Sequence, residues 1–274
     1  MKNLIGIIIF ILALFLVFFL AFNMTEITVI DISTGKPVSF ARTGYFYTDE
    51  NGKSVFLGTI LNNRLNISRI GYKDKIVSLP VRLLKKTVET QIEENNYQGL
   101  VDQVTQWSGN LNKYKYTFST NLIQNNATEV VEFDARKIGK DFYFVTKNSG
   151  DETKTITVIS TGNDMYVSEN GEPLKGPLSD QDRQKFANEN IVFLPLNDII
   201  SGSFPADEPL EMKFDKNTIE ILWSGTNTAS IHIDKNGNVS EIDFSEVGPN
   251  KTFWATLKIN TINVEEINAN ENGQ

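Results

Sequence analysis

The chain has 274 residues, 26 basic against 34 acidic for a formal charge of -8, one histidine and no cysteine. Without a thiol, disulfide frameworks, thiolate metal sites, cysteine nucleophiles and lipid-modified cysteine anchors are all excluded. The acidic balance, with Arg82 and Lys85-Lys86 as the one basic cluster of note, argues against nucleic acid, whose phosphates need clustered Lys and Arg.

Leu4 to Phe22 is an unbroken apolar run without charge. Nineteen helical residues at ~1.5 Å each reach roughly 28 Å, about the hydrocarbon thickness of a bilayer. A cleaved secretory signal is the alternative, but its apolar core has about 7 to 15 residues, and Leu20-Ala21-Phe22-Asn23 is a poor cleavage site. Residues 1–24 are therefore read as a transmembrane signal anchor, and either reading exports the remainder of the chain. Lys2 precedes the run and no basic residue succeeds it until Lys36. The positive-inside rule then places the N-terminus in the cytoplasm and the bulk of a single-pass cell-membrane protein outside.

From Ile27 to Leu84 the chain reads as short strands broken by turns at Ser33–Pro37, Thr48–Lys53 and Ile70–Asp74, with Asn51-Gly52 suited to the positive φ of a tight hairpin. This pattern predicts an antiparallel sandwich over 25–84. Val29-x-Asp31-x-x-Thr34-Gly35-x-Pro37-Val38-x-x-Ala41, then Thr48-Asp49-x-Asn51-Gly52, then Ile70-Gly71-Tyr72, resembles the carboxypeptidase-regulatory-like family. That resemblance implies a small transthyretin-like β-sandwich with a structural or adhesive role and no catalytic residue. A short stretch between Ala41 and Thr48 and the lack of a glycine opening the first strand depart from the family's pattern.

Beyond Lys85 the period changes. Val88, Ile92, Leu100, Val101, Val104 and Trp107 recur at spacings near three, four or seven, which predicts a helix from Tyr97 to Ser108 stopped by Gly109. Residues 85–96 read as a helical linker, or as one broken by Glu93-Glu94-Asn95-Asn96. From Leu111 the alternation of a half-buried sheet takes over, with Tyr114, Tyr116, Phe118 and Thr120 on one face. Val131, Phe133 and Ala135 come next, then Phe142 with Phe144, and Ile156 with Val158. Ser179 is placed to cap a short helix carrying Phe186, and Phe193 to Ile200 is apolar without alternation. The sheet resumes through Ile219, Ile221 and Trp223, Ile231 and Ile233, the Asn236-Gly237 turn, Ile242 and Phe244, and closes at Phe253 to Ile259. Residues 267–274 read as a disordered tail.

The fold class expected is therefore mainly β with few helices: an N-terminal transmembrane helix, a small β-sandwich, then a curved antiparallel half-barrel sheet covered by helices over 97–266. Trp107 to Ser119, Met165-Tyr166-Val167 with its turn, and Ile231-His232-Ile233-Asp234-x-x-Gly237 resemble the LolA-like lipoprotein-carrier superfamily. That resemblance implies a pocket between sheet and helices that holds acyl chains through shape and apolar lining.

Candidate chemistry is sparse. His232 shares the polar face of its strand with Asp234 and reads as solvated. Asp49–Gly52 and Asp234–Asn238 resemble calcium loops, but glycine arrives two positions early for an EF-hand, so they read as hairpin turns. Asp180, Asp182, Glu189, Asp207 and Glu208 have no spacing that marks a glycosidase pair. No phosphate-cradling loop or nucleophile elbow occurs, and no metal or cofactor is implied. Trp107, Phe118, Phe133, Phe144, Trp223 and Phe253 fall on apolar faces, where either a filled core or a hydrophobic pocket explains them. The expectation is a non-enzymatic membrane-anchored protein binding a lipid or other hydrophobic ligand. The competing expectation is a structural or adhesion protein of the cell envelope with a filled core.

Overall fold

A computed structural model of the chain describes residues 2–22, 24–57, 64–79, 86–124, 127–149, 154–189, 195–223, 226–248, 251–262, 264 and 267. The expected tail, apart from Ile267, lies outside them. The chain divides into two compact units, one of residues 1–100 with 215–217 and 233–238, the other of the remainder.

The first unit opens with α1 (Lys2–Phe22). Side chains are described for α1 from Gly6 to Leu16, and Ile7 to Leu12 and Leu14 to Leu16 are exposed. Among the residues whose side chains are described, which in α1 are 6–16, no helix is long and apolar enough to cross a membrane. After one intervening residue comes β1 (Met24–Asp31), then β2 (Arg42–Thr43), β3 (Phe46–Tyr47), β4 (Lys53–Leu57), β5 (Arg64–Ser68), β6 (Lys75–Ser78) and β7 (Lys86–Ile92). They form two sheets, ordered β4-β1-β7 and β3-β2-β5-β6. Ile27, Val29, Leu65 and Ile67 are fully buried, as the two-residue period of their strands requires, and Val38 and Ala41, between β1 and β2, are buried with them. The Thr43 and Ser54 hydroxyls, both buried, bond at 2.6 Å, and Thr48 Oγ1 both donates to the Val38 carbonyl and accepts from the Ala41 N–H.

Residues 86–96 are not the helical linker that their spacing predicts. Lys86–Ile92 is a strand that pairs parallel with β1 along its whole length, Thr25 with Lys86 through Asp31 with Ile92. Val88, Thr90 and Ile92 turn inward while Thr87, Glu89 and Gln91 are exposed. Apolar residues four apart satisfy a period of two as well as one of 3.6, and the sheet supplied the partner that decided between them. The three-stranded sheet is accordingly mixed rather than antiparallel.

Helix α2 (Tyr97–Gly109) comes next, with Asn96 Oδ1 accepting from the Gly99 N–H and Leu100, Val104 and Ser108 buried. In the second unit the strands are β8 (Lys113–Gln124), β9 (Ala127–Ile138), β10 (Asp141–Ser149), β11 (Lys154–Thr161) and β12 (Asp164–Glu169). After α3 (Asp180–Glu189) and α4 (Leu196–Ser203) come β13 (Glu211–Phe214), β14 (Thr218–Leu222), β15 (Asn227–Ile233), β16 (Val239–Val247) and β17 (Lys251–Asn260). All ten strands join one sheet, ordered β12-β11-β10-β9-β8-β17-β16-β15-β14-β13, open at β12 and β13. The ladders from β12 through β8, from β8 through β17 to β16, and from β15 through β14 to β13 are antiparallel, because hairpins link neighbours and β17 returns beside β8. Ser179 caps α3 as expected, its hydroxyl accepting from the Asp182 N–H and donating to the Asp182 carboxylate.

Candidate functional site

Cross-strand partners in an antiparallel ladder share a face, so the register shows which side chains meet. Phe118 pairs with Phe133 on one side and Leu257 on the other; Tyr116 pairs with Ala135 and Ile259; Ala135 and Val158 both pair with Phe144. One face of the sheet is therefore a continuous apolar surface across β11, β10, β9, β8, β17 and β16. Three aromatic rings run across it: Phe118 and Phe133 centroids lie 5.8 Å apart, Phe133 and Phe144 5.6 Å apart. Spacings of this size suit offset or tilted stacking.

The apolar face has two regions. Around Tyr114, Tyr116, Ala135, Phe144, Leu257 and Ile259 it is buried. Helix α4 packs there, turning Leu196, Ile199 and Ile200 inward at helical spacing. The Leu196 N–H donates to the Tyr114 hydroxyl at 3.4 Å, and Phe204 at the helix end meets Phe244 edge-on at 5.4 Å. Burial pushes the Tyr114 and Tyr116 phenols above their ordinary values, so both stay neutral. Toward the other ends of β8, β9 and β17, Phe118, Leu122, Val131, Phe133 and Phe253 are only half-buried.

Of the six candidates, Phe118, Phe133 and Phe144 thus stand together, and Phe253 lies on the same face, paired with Leu122. Trp223 is not part of that row: it is buried just past β14, with its indole N–H donating to the Asp207 carbonyl at 3.0 Å. Trp107 sits half-buried on α2.

The opposite face is polar, and it carries two features that the sequence did not reveal. One is a depression of about 540 Å³, whose lining includes Thr117, Ser119, Glu132, Asp134, Lys147 and Lys258. Lys115 pairs with Asp134 at 3.3 Å beside it. The other is a chain of hydrogen-bonding groups. His232 Nδ1 lies 3.3 Å from the Thr218 hydroxyl, its Nε2 lies 3.4 Å from Asp243, and Asp243 accepts from the Thr256 hydroxyl at 2.7 Å. Asp243 rather than Asp234 is the acid beside His232, since register and not sequence proximity sets cross-strand neighbours. In such a line the imidazole can take a proton from the hydroxyl while the carboxylate orients the ring. Acyl transfer also needs N–H donors aimed at a developing oxyanion, whereas Thr218 and His232 are paired residues of a continuous ladder. Among the described residues no group of three or more His, Asp or Glu is placed to hold a metal ion.

Neither a family profile nor a curated protein matches this chain. Solved structures do. A LolA superfamily protein from Nitrosomonas europaea is 9% identical, covering 61% of this chain and 92% of its own, with a TM-score of 0.24. A DUF1329 family protein from Desulfovibrio piger is 11% identical over 58% of this chain and 88% of its own, with a TM-score of 0.21. A Bacteroides fragilis protein described as membrane-associated and of unknown function is 10% identical over 86% of this chain and 95% of its own, with a TM-score of 0.22. At these TM-scores the likenesses decide neither fold nor function. The carboxypeptidase-regulatory-like resemblance has no counterpart among them.

Proposed function

We propose that this chain is a non-enzymatic, single-pass membrane protein whose extracytoplasmic ten-stranded sheet holds a lipid or other hydrophobic ligand against its apolar face. The observation that carries this reading is the Phe118–Phe133–Phe144 row. A filled core would bury it throughout, yet burial is complete only at Phe144, while Phe133 and Phe118 are half-buried, with Leu122, Val131 and Phe253 beside them. A half-buried apolar surface gains roughly 25 cal/mol for each Å² that an acyl chain removes from water. Binding of this kind needs no cofactor and takes its selectivity from the width of the apolar strip.

The anchor half of the proposal rests on the charge-free run from Leu4 to Phe22, helical throughout and too apolar for a solvated helix. An anchored sheet suits local presentation or sensing of a membrane lipid. The LolA-like sequence resemblance of 97–266 is consistent with an acyl-binding surface.

The test is photo-crosslinking of the full chain in vesicles that contain a phospholipid with a diazirine in its acyl chain, with peptide mapping of the products. Labels at Phe118–Leu122, Val131–Phe133 or Phe253, in addition to α1, are expected. Labels confined to α1 would sink the ligand reading and leave a structural module as the better account.

A further inference from the structure

The first unit has two ends along its strands. β1 begins one residue after α1, so Met24 and Thr25 mark the end nearest the helix, and Asp31 lies about 23 Å further on at ~3.3 Å per residue. Register places the other strands on this scale. Leu57 and Phe56 of β4 pair with Met24 and Thr25, and Lys86 opens β7 opposite Thr25. The chain then reverses: the Val38 N–H bonds the Val29 carbonyl, and by Gly44 the backbone has run back until a Cβ there would lie 3.7 Å from the Phe56 ring. The tip of the β2–β3 hairpin therefore lies at the helix end. So do Arg64 and Ile76, since the Gly44 N–H bonds Asn66, which pairs with Ile76 and lies two residues beyond Arg64.

Among the described residues, large apolar and aromatic side chains are exposed at that end: Tyr45 is 93% exposed, Ile76 69% and Phe46 45%. Arg42 and Arg64 are exposed among them. At the other end Asp31 closes β1, Asp49 lies in the turn before β4, Asp74 precedes β6, and Glu93 and Glu94 succeed β7, while Glu26, near the helix end, is ion-paired with Lys53 at 3.8 Å. In a chain of net charge -8, the exposed Arg42 and Arg64 give the helix end cations to set against a negative surface.

We propose that the helix end of the first unit lies on the bilayer itself, with Tyr45, Phe46 and Ile76 in the interfacial layer and Arg42 and Arg64 on anionic lipid phosphates. Aromatic rings with a polar tip favour the headgroup level, and guanidinium groups pair with phosphate. The occupant is set by chain continuity: with a single residue between helix and strand, this end cannot stand away from a bilayer that α1 spans. The contact holds the unit at a set tilt instead of letting it swing on its anchor. It rests on the proposal that α1 is a membrane anchor.

The absence of cysteine allows a test without background labelling. Single cysteines are placed in the full chain by Tyr45→Cys, Ile76→Cys, Asn51→Cys and Leu12→Cys, nitroxide-labelled, and reconstituted in phosphatidylcholine vesicles with a minority of phosphatidylglycerol. Collision with oxygen, which partitions into lipid, is compared with collision with a water-soluble nickel chelate. The label at 76 leaves Tyr45 intact, and that at 51 reports the far end. Nickel accessibility at 45 and 76 several-fold below that at 51 is expected, with 12 deep in hydrocarbon. Labels at 45 and 76 as nickel-accessible as 51, with 12 still deep, would overturn this inference and spare the anchor. A nickel-accessible label at 12 would overturn both.

Discussion

The Glu94 carboxyl hydrogen-bonds the buried carboxylate of Asp31, so the end of β1 and the segment leading into α2 share a proton. Burial opposes the charge on Asp31, but hydrogen bonds from Glu94 and from the Ser33 N–H and hydroxyl outweigh it and hold that carboxyl below its ordinary value. The Tyr72 hydroxyl donates to the other Asp31 oxygen at 3.4 Å, and Arg69 lies over the Tyr72 ring at 5.1 Å. Burial, then the adjacent Asp31 carboxylate, push Glu94 from 4.5 up to about 7.

Proton counts give the sign of the resulting pH dependence. Between pH 4.5 and about 7 the folded chain keeps the Glu94 proton and the unfolded chain has lost it. Folding stability contributed by this group therefore falls as pH rises through that window. Asp31 acts oppositely and lower, losing stability as pH falls below 3.8. In Glu94→Gln the amide still donates to Asp31 without titrating. Melting temperatures of wild type and variant should converge at pH 4.5 and below, separate in favour of the variant between 4.5 and about 7, and stay apart above that; parallel curves would rule out the shared proton.

Arg69 is 4% exposed, and its guanidinium donates to the Lys216 carbonyl at 2.8 Å and to the Asp215 carbonyl at 3.3 Å, both within the first unit. The Ser39 hydroxyl donates to the same Lys216 carbonyl. Arg69→Met removes two charge-assisted bonds and leaves an acceptor underpaired, which costs about 2 to 3 kcal/mol. Urea unfolding should show that loss, with a matching rise in amide exchange at 215–217.

Phe144 and Phe133 separate packing from binding. Phe144 is 1% exposed, so Phe144→Ala leaves a cavity and costs about 3 to 5 kcal/mol of stability. Phe133 is half-buried, and Phe133→Ala should cost clearly less stability while reducing lipid crosslinking on the apolar face more. An equal loss of stability at both positions, with crosslinking unchanged, would favour a filled core.

Tyr114→Phe deletes the hydroxyl that accepts from the Leu196 N–H at the start of α4. The expected cost is about 1 kcal/mol, concentrated in that helix. Hydrogen exchange at 196–200 should quicken while the β8–β9 ladder stays protected; an unchanged helix would show that packing of Ile199 and Ile200 alone fixes it.

Element type was legible wherever one period stood alone. Tyr114 to Thr120 alternates, and Leu100, Val104 and Ser108 recur at four, so side-chain direction gives a strand and a helix. Asn236-Gly237 marked its turn because Gly237 needs φ +72°. Lys86–Ile92 is ambiguous by pattern because Val88 and Ile92 fit both periods, and only the β1 partner separates them.

The sequence by itself determined the apolar run at Leu4–Phe22, the freedom from thiol chemistry, the single histidine, and the face on which each strand aromatic lies, because these depend on composition and on local periodicity. Tertiary structure alone decided which faces meet: that Phe118, Phe133 and Phe144 form one row, that His232 neighbours Asp243, and that Asp31 and Glu94, 63 positions apart, share a proton. Register and strand order are set by pairings between distant segments, and no local pattern encodes which distant segment that is.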